Sequence, residues 1–176
     1  MDTTIGLTPL DGLIMGTRCG TLDPATVFYL EREGGYSIDE IDAMMNKQGG
    51  LLAISGVSSD SRDIEAAAND GDENCKLALE MFNYRTAQLV AEMVQALEGV
   101  DTIAFSAGIG ENSATTRAAI SEKLGWLGVQ IDPEKNAVRS DEVREISTPD
   151  SKVRVLVVPT DEEYMIALDV KRLLSE

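Results

Sequence analysis

Histidine is absent from all 176 residues. That removes the usual general base near neutral pH and the commonest nitrogen ligand for metals. Chemistry here must use carboxylates, arginine and backbone groups, or be completed from outside the chain. Positive charge is scarce as well: 15 Lys and Arg stand against 31 Asp and Glu, a formal charge of −16. A field of that sign repels nucleic acid and anionic membranes, so neither is an expected partner. It repels a nucleotide too. A phosphate site must therefore be built locally, from backbone N–H groups, helix N-termini, a few arginines and a metal ion. The only two cysteines, Cys19 and Cys75, have no CxxC spacing and read as free thiols of a reducing compartment. No apolar run reaches the ~18 residues of a membrane span. The opening Met-Asp-Thr-Thr lacks the basic start and apolar stretch of a signal peptide. The cytoplasm is the expected location.

What remains is an ordinary globular composition, 43% hydrophobic and 26% charged, enough for a core and unlike a disordered chain. The length suits one domain or most of one, and no linker or repeat divides residues 1–176. The opening, Asp2 to Leu7, is β-prone, and Thr8 to Leu13 reads as a turn. Asp23-Pro24 opens a helix that stops by Gly34-Gly35, and Ser37 with Glu40 forms a capping-box pattern for the next, which ends before Gly49-Gly50. A short Ala-rich helix covers Ile64 to Ala68. The longest helix is expected over 73–98, with Leu77, Met81, Leu89, Met93 and Leu97 as its apolar stripe, widened by Phe82, Val90 and Val94, and its methionines in the core. Trp126 reads as a packing residue.

Thr102 to Phe105 reads as a short buried strand running into Gly108-Ile109-Gly110-Glu111-Asn112, with a helix after it to Leu124. A strand is expected at Leu127 to Ile131 and a clearer one at Val153 to Val158. Thr160 with Glu163 forms a second capping-box pattern for a final helix. Strands alternating with helices give an α/β fold, with ligands expected at the carboxyl ends of strands. Residues 105–112 and 159–163 sit at such ends.

Each chemical motif has two readings at this level. Gly108 and Gly110 allow positive φ and close approach of a ligand before a helix N-terminus; they also suit a plain βα turn, since the third glycine of the dinucleotide fingerprint is missing. Asp60-Ser61-Arg62 offers a carboxylate for a ribose hydroxyl and a guanidinium for stacking, or simply a helix start. Arg18, in a Gly/Thr-rich loop without an acidic neighbour in sequence, suits charge stabilisation in phosphoryl transfer or a solvated surface. Glu162 and Glu163 can hold Mg²⁺ or merely complement a helix N-terminus; with Glu163 in the cap, Glu162 is the freer metal ligand.

Taken in order, these segments resemble the acetate kinase family. Asp2 through Arg18 is similar to a family signature that ends on a catalytic arginine. Gly56 through Asp63 resembles its adenosine-contacting stretch, and Ala107 through Asn112 its phosphate-and-purine loop. Ser147 through Asp150 and Pro159 through Glu163 resemble its closing segments, with Asp161 where Asn is common. The resemblance implies a ribonuclease-H-like domain of the actin-like ATPase and sugar kinase superfamily, a mixed sheet flanked by helices. It implies ATP or ADP as substrate, Mg²⁺ with Mn²⁺ as a substitute, and reversible phosphoryl transfer to acetate. Arg18 takes the catalytic role, Asp60, Ser61, Arg62, Gly108, Ile109, Gly110, Glu111 and Asn112 hold the nucleotide, and Glu162 holds the metal.

Members of that family are about twice as long. The resemblance therefore implies a preceding domain, with its own Asn, Arg, Asp and histidines, and first strands of this domain's sheet that lie before residue 1. On that basis the chain is expected to be a C-terminal nucleotide-binding portion, inactive alone and homodimeric. A propionate or butyrate kinase, and a non-catalytic nucleotide-binding or dimerisation module, are the alternatives.

Overall fold

A computed structural model describes residues 2–175. The chain divides into two compact units, Met1–Val100 and Asp101–Glu176.

The first unit is helical. It contains α1 (Ala25–Arg32), α2 (Ile38–Lys47), α3 (Gly50–Ser55), α4 (Ser61–Asn69) and α5 (Glu73–Ala96). The capping box at Ser37 forms in full, with the Glu40 carboxylate accepting from the Ser37 N–H and the Ser37 hydroxyl accepting from the Glu40 N–H. The β-prone opening does not become a strand. Asp2 and Thr3 side chains cap the N–H groups of Thr3 and Ile5 instead. β-propensity makes a strand only where a neighbouring edge supplies ladder partners, and no strand pairs with this run among the described residues.

The core lies between α5 and the shorter helices α3 and α4. Ile41, Leu51, Ile64, Ala68, Cys75, Ala78, Phe82, Ala87 and Leu89 are buried. The expected α5 stripe is therefore only partly right. Leu89 and Phe82 are buried and Val90, Met93 and Val94 half-buried, but Leu77, Met81 and Leu97 are exposed. The buried face carries small Cys75 and Ala78 beside Phe82 and Leu89, and leaves Leu77 and Met81 on the exposed side. Cys19 and Cys75 are free thiols, as expected.

The second unit carries the sheet, β1 (Thr102–Phe105), β2 (Arg144–Glu145) and β3 (Arg154–Val157), in the order β1-β3-β2. β1 and β3 are parallel, with Thr102 opposite Arg154 and Phe105 opposite Val157; β2 is antiparallel to β3. Around it lie α6 (Ala107–Asn112), α7 (Ala114–Lys123), α8 (Pro133–Ala137) and α9 (Glu162–Leu173). This is an α/β unit with a small mixed sheet flanked by helices. Ile120, Leu124, Val129, Ile146, Val153, Val155 and Val157 form its core.

Four expectations change here. β1 is only half-covered rather than buried, because β3 is its sole strand neighbour among the described residues. No strand forms over 127–131: Gly125–Leu127 is a 3₁₀ turn and only Ile131 bridges, to Ser147. Trp126 lies 69% exposed on that turn, so it does not pack. The last helix is capped by Asp161, whose carboxylate accepts from the Tyr164 N–H, and the Thr160–Glu163 box does not form.

Candidate functional site

β1 and β3 are parallel neighbours, so their carboxyl ends open on the same edge of the sheet. The chain leaves β1 into α6 and leaves β3 towards α9. The expected glycine loop is thus a six-residue helical turn, and the positive φ falls on Ala107 at 58°, not on Gly108 or Gly110. The two glycines differ in their surroundings. A Cβ on Gly110 would lie 3.3 Å from the Phe105 carbonyl carbon, so that glycine seats α6 against the end of β1. A Cβ on Gly108 would meet nothing within 4 Å. Ile109 is half-buried on the same turn, and the Asn112 amide donates to the Gly108 carbonyl at 2.9 Å.

Glu111 reaches across the sheet edge. Its Oε1 accepts from the Thr160 N–H at 2.9 Å and from the Thr160 hydroxyl at 3.0 Å. The Thr160 N–H, aided by the hydroxyl, holds the carboxyl below the usual range. Two residues beyond Thr160, Glu162 opens α9 and is exposed, with no hydrogen bond or ion pair among the described residues. Glu163 does not take the cap, so both carboxylates at the helix start are free of that role.

Behind α6 lies Arg117, only 2% exposed. Its Nε donates to Asn136 Oδ1 at 2.8 Å and its Nη2 to the Asn136 carbonyl at 2.6 Å. Its Nη1 donates to the carbonyls of Gly110 and Glu111, each at 2.9 Å. The guanidinium thus grips the end of α6, where carbonyls lack helical partners. Burial pulls its pKa below the usual arginine value, with a further push from Arg144. Sequence reasoning missed this residue. The available signal was its position: Arg117, Ile120 and Ser121 fall on the buried face of α7, which Leu124 continues just past its end.

In the first unit, residues 15–19 are clamped to the α2–α3 junction. The Leu51 and Leu52 N–H groups donate to the carbonyls of Met15 and Gly16, the Gly49 N–H to Thr17 and the Cys19 N–H to Met45. These main-chain carbonyls, not a side chain, cap α3. A Cβ on Gly16 would lie 2.6 Å from the Ser59 carbonyl oxygen, so this loop touches the one that leads to Asp60. Arg18 is half-buried; its Nη1 contacts Met15 Sδ at 3.4 Å, and it has no acidic partner among the described residues.

Asp60 caps α4 by accepting from the Arg62 N–H at 2.9 Å, and it pairs with the Arg62 guanidinium. That side-chain bond, with the capping N–H, lowers the Asp60 pKa to about 2. The helix-start reading therefore holds, and the Asp60 carboxylate is already engaged by Arg62. Ser61 opens α4 half-buried, and the Arg62 side chain is 85% exposed, which leaves its planar face open. The structure thus brings Arg18 and Asp60–Arg62 into adjoining loops of the first unit, and residues 108–112 and Glu162 to one edge of the second.

The acetokinase family model matches residues 1–168. The chain belongs to the acetokinase family.

Curated relatives agree. An acetate kinase of Clostridium botulinum (strain Loch Maree) is 52% identical over 176 residues, all of this chain and 44% of that protein. An acetate kinase of Lachnoclostridium phytofermentans is 51% identical over 174 residues, 99% of this chain and 44% of that protein. The chain therefore spans less than half the length of the curated relatives it matches. Among solved structures, a Porphyromonas gingivalis acetate kinase superposes with a TM-score of 0.91 at 42% identity, over 99% of this chain and 44% of that one. A propionate kinase from Francisella tularensis gives 0.88 at 43%, over 95% of this chain and 42% of that one.

No group of three or more Asp, Glu, Cys or His able to hold a metal exists among the described residues. Glu162 and Glu163 are both exposed at the start of α9, and Mg²⁺ typically keeps waters and takes only one or two protein carboxylates beside substrate phosphates.

Proposed function

We propose that this chain is the nucleotide-binding part of an acetate kinase, which transfers a phosphoryl group reversibly between ATP and acetate. The observation that carries the reading is Arg18: a half-buried guanidinium on a clamped loop, with no carboxylate partner among the described residues. An arginine fixed in place yet left unpaired is suited to charge that arrives with a substrate.

In the proposed reaction an acetate oxygen attacks the γ-phosphorus of ATP in line. The new P–O bond forms as the bond to the β-phosphate oxygen breaks, giving acetyl phosphate and ADP with no net proton transfer. Arg18 offsets charge on the transferred group. Arg62 lies along the adenosine, held by Asp60 at the start of α4. Residues 108–112 take the nucleotide, with Gly108 giving it room. Glu162 would hold Mg²⁺, which when bound offsets phosphate charge. The chain alone is inactive in this reading, because it needs the remainder of a full-length relative, and it pairs as a homodimer in the cytoplasm.

A propionate kinase is the second reading, favoured by the similar fit to the Francisella tularensis enzyme. Acyl preference is tested by comparing acetate with propionate once turnover is restored.

Titration calorimetry with MgADP tests the nucleotide reading. One saturable site per chain is expected, and acetyl phosphate formation is expected on adding the N-terminal half of a relative. A folded chain that binds no MgADP would sink it. Binding without restored turnover would favour a non-catalytic module.

A further inference from the structure

Every described residue of α9 is exposed, and the helix buries no side chain. Packing along the helix therefore does not decide where Glu162 sits. Its place is decided at the root, residues 158–161. One main-chain bond ties that root to the sheet edge, from the Val158 N–H to the Phe105 carbonyl at 2.8 Å. The one side chain that grips it among the described residues is Glu111, through both the N–H and the hydroxyl of Thr160. Glu111 in turn stands on a fixed base, because Arg117 holds the Gly110 and Glu111 carbonyls from behind.

We propose that Glu111 is a positioning residue: its clasp on Thr160 sets Glu162 relative to the 108–112 segment, and so couples metal binding to nucleotide binding. This rests on the nucleotide reading above and changes one of its parts. The Glu111 carboxylate serves the α9 root rather than touching the nucleotide. The bonds are charge-assisted, which suits them to hold an exposed junction. Groups that orient a metal ligand typically change metal affinity by about 10–100-fold when removed.

The test is ADP titration of the chain with magnesium and with the metal chelated, giving a ratio of affinities. Glu111→Ala should shrink that ratio by about tenfold, with the loss falling mainly on the magnesium titration. Glu111→Gln keeps an acceptor for Thr160 and should hold the ratio near the parent's. Glu162→Gln, as a control, should remove the magnesium enhancement itself. A Glu111→Ala protein with the parent's ratio would overturn the inference, as would equal loss with and without magnesium, or a Gln variant that behaves like Ala. A Glu162→Gln protein that keeps the enhancement overturns it together with the metal assignment. A parent chain that binds neither form overturns the nucleotide reading and the inference together, whereas parental binding with an unchanged variant ratio overturns the inference alone.

Discussion

Arg117 and Asn136 hold each other at two points, Nε to Oδ1 at 2.8 Å and Nη2 to the main-chain carbonyl at 2.6 Å. Asn136 also donates its amide to the Ala114 carbonyl at 2.8 Å, so α7, α8 and the end of α6 share one buried polar cluster. Removing the guanidinium would strand several buried acceptors, each costing about 1–3 kcal/mol. Arg117→Ala should therefore destabilise the second unit by about 3 kcal/mol, read as faster hydrogen exchange at the β1 and β3 amides. Arg117→Lys should not restore protection, because an ammonium cannot reproduce the planar fork. Unchanged exchange in Arg117→Ala would contradict this account.

Gly16 and Gly108 should respond oppositely to alanine. At Gly16 a Cβ meets the Ser59 carbonyl oxygen at 2.6 Å, and the loop must shift. A loss of about 1–3 kcal/mol is expected in urea unfolding. At Gly108 the space is open and φ is not positive, so Gly108→Ala should fold at least as stably. It should nevertheless weaken MgADP binding, if the open space receives the nucleotide. Equal nucleotide affinity in Gly108→Ala would remove that residue from the site.

Asp60 should remain ionised well below pH 4. Its folded pKa of about 2 lies below the ordinary 3.8, so the stability it contributes is present above the ordinary value and lost as pH falls towards 2. Carbon-detected NMR titration of the carboxyl should show this. Arg62→Ala removes the largest cause and should raise the midpoint towards 3.8. A midpoint near 3.8 in the parent would show that the pair does not persist in solution.

Arg18→Ala strands no carboxylate, so its melting temperature should match the parent's and ADP affinity should change little. In a complex that makes acetyl phosphate, kcat should fall by about a thousandfold. A fully active variant would exclude Arg18 from the chemistry.

Local chemistry made several elements legible before any coordinates. Ser37 and Glu40 lie at capping-box spacing and cap their own helix. The Val153 to Val158 run becomes β3, and Asp60 is next to the helix it starts. All of these depend on neighbours within a few positions. The α5 stripe was only partly right for the opposite reason, since which face is buried depends on where α3 and α4 pack. Thr160 reads as a cap for Glu163 because both are local; in the fold it meets Glu111, far off in sequence, across the edge made by parallel β1 and β3.

By itself, then, the order of residues determined the family, the Ser37 and Asp60 helix starts, the main strand and the identity of the charged groups, because these follow from short-range spacing and side-chain chemistry. Tertiary structure decided which groups are held by distant partners. Glu111 is taken by Thr160, while Arg18 and Glu162 have no charged partner among the described residues. It also decided that Arg117, unremarkable in the chain, is the buried brace of the second unit. Hydrogen bonds between distant segments form only when the sheet and helices bring them within about 3 Å, and a linear pattern carries no record of that distance.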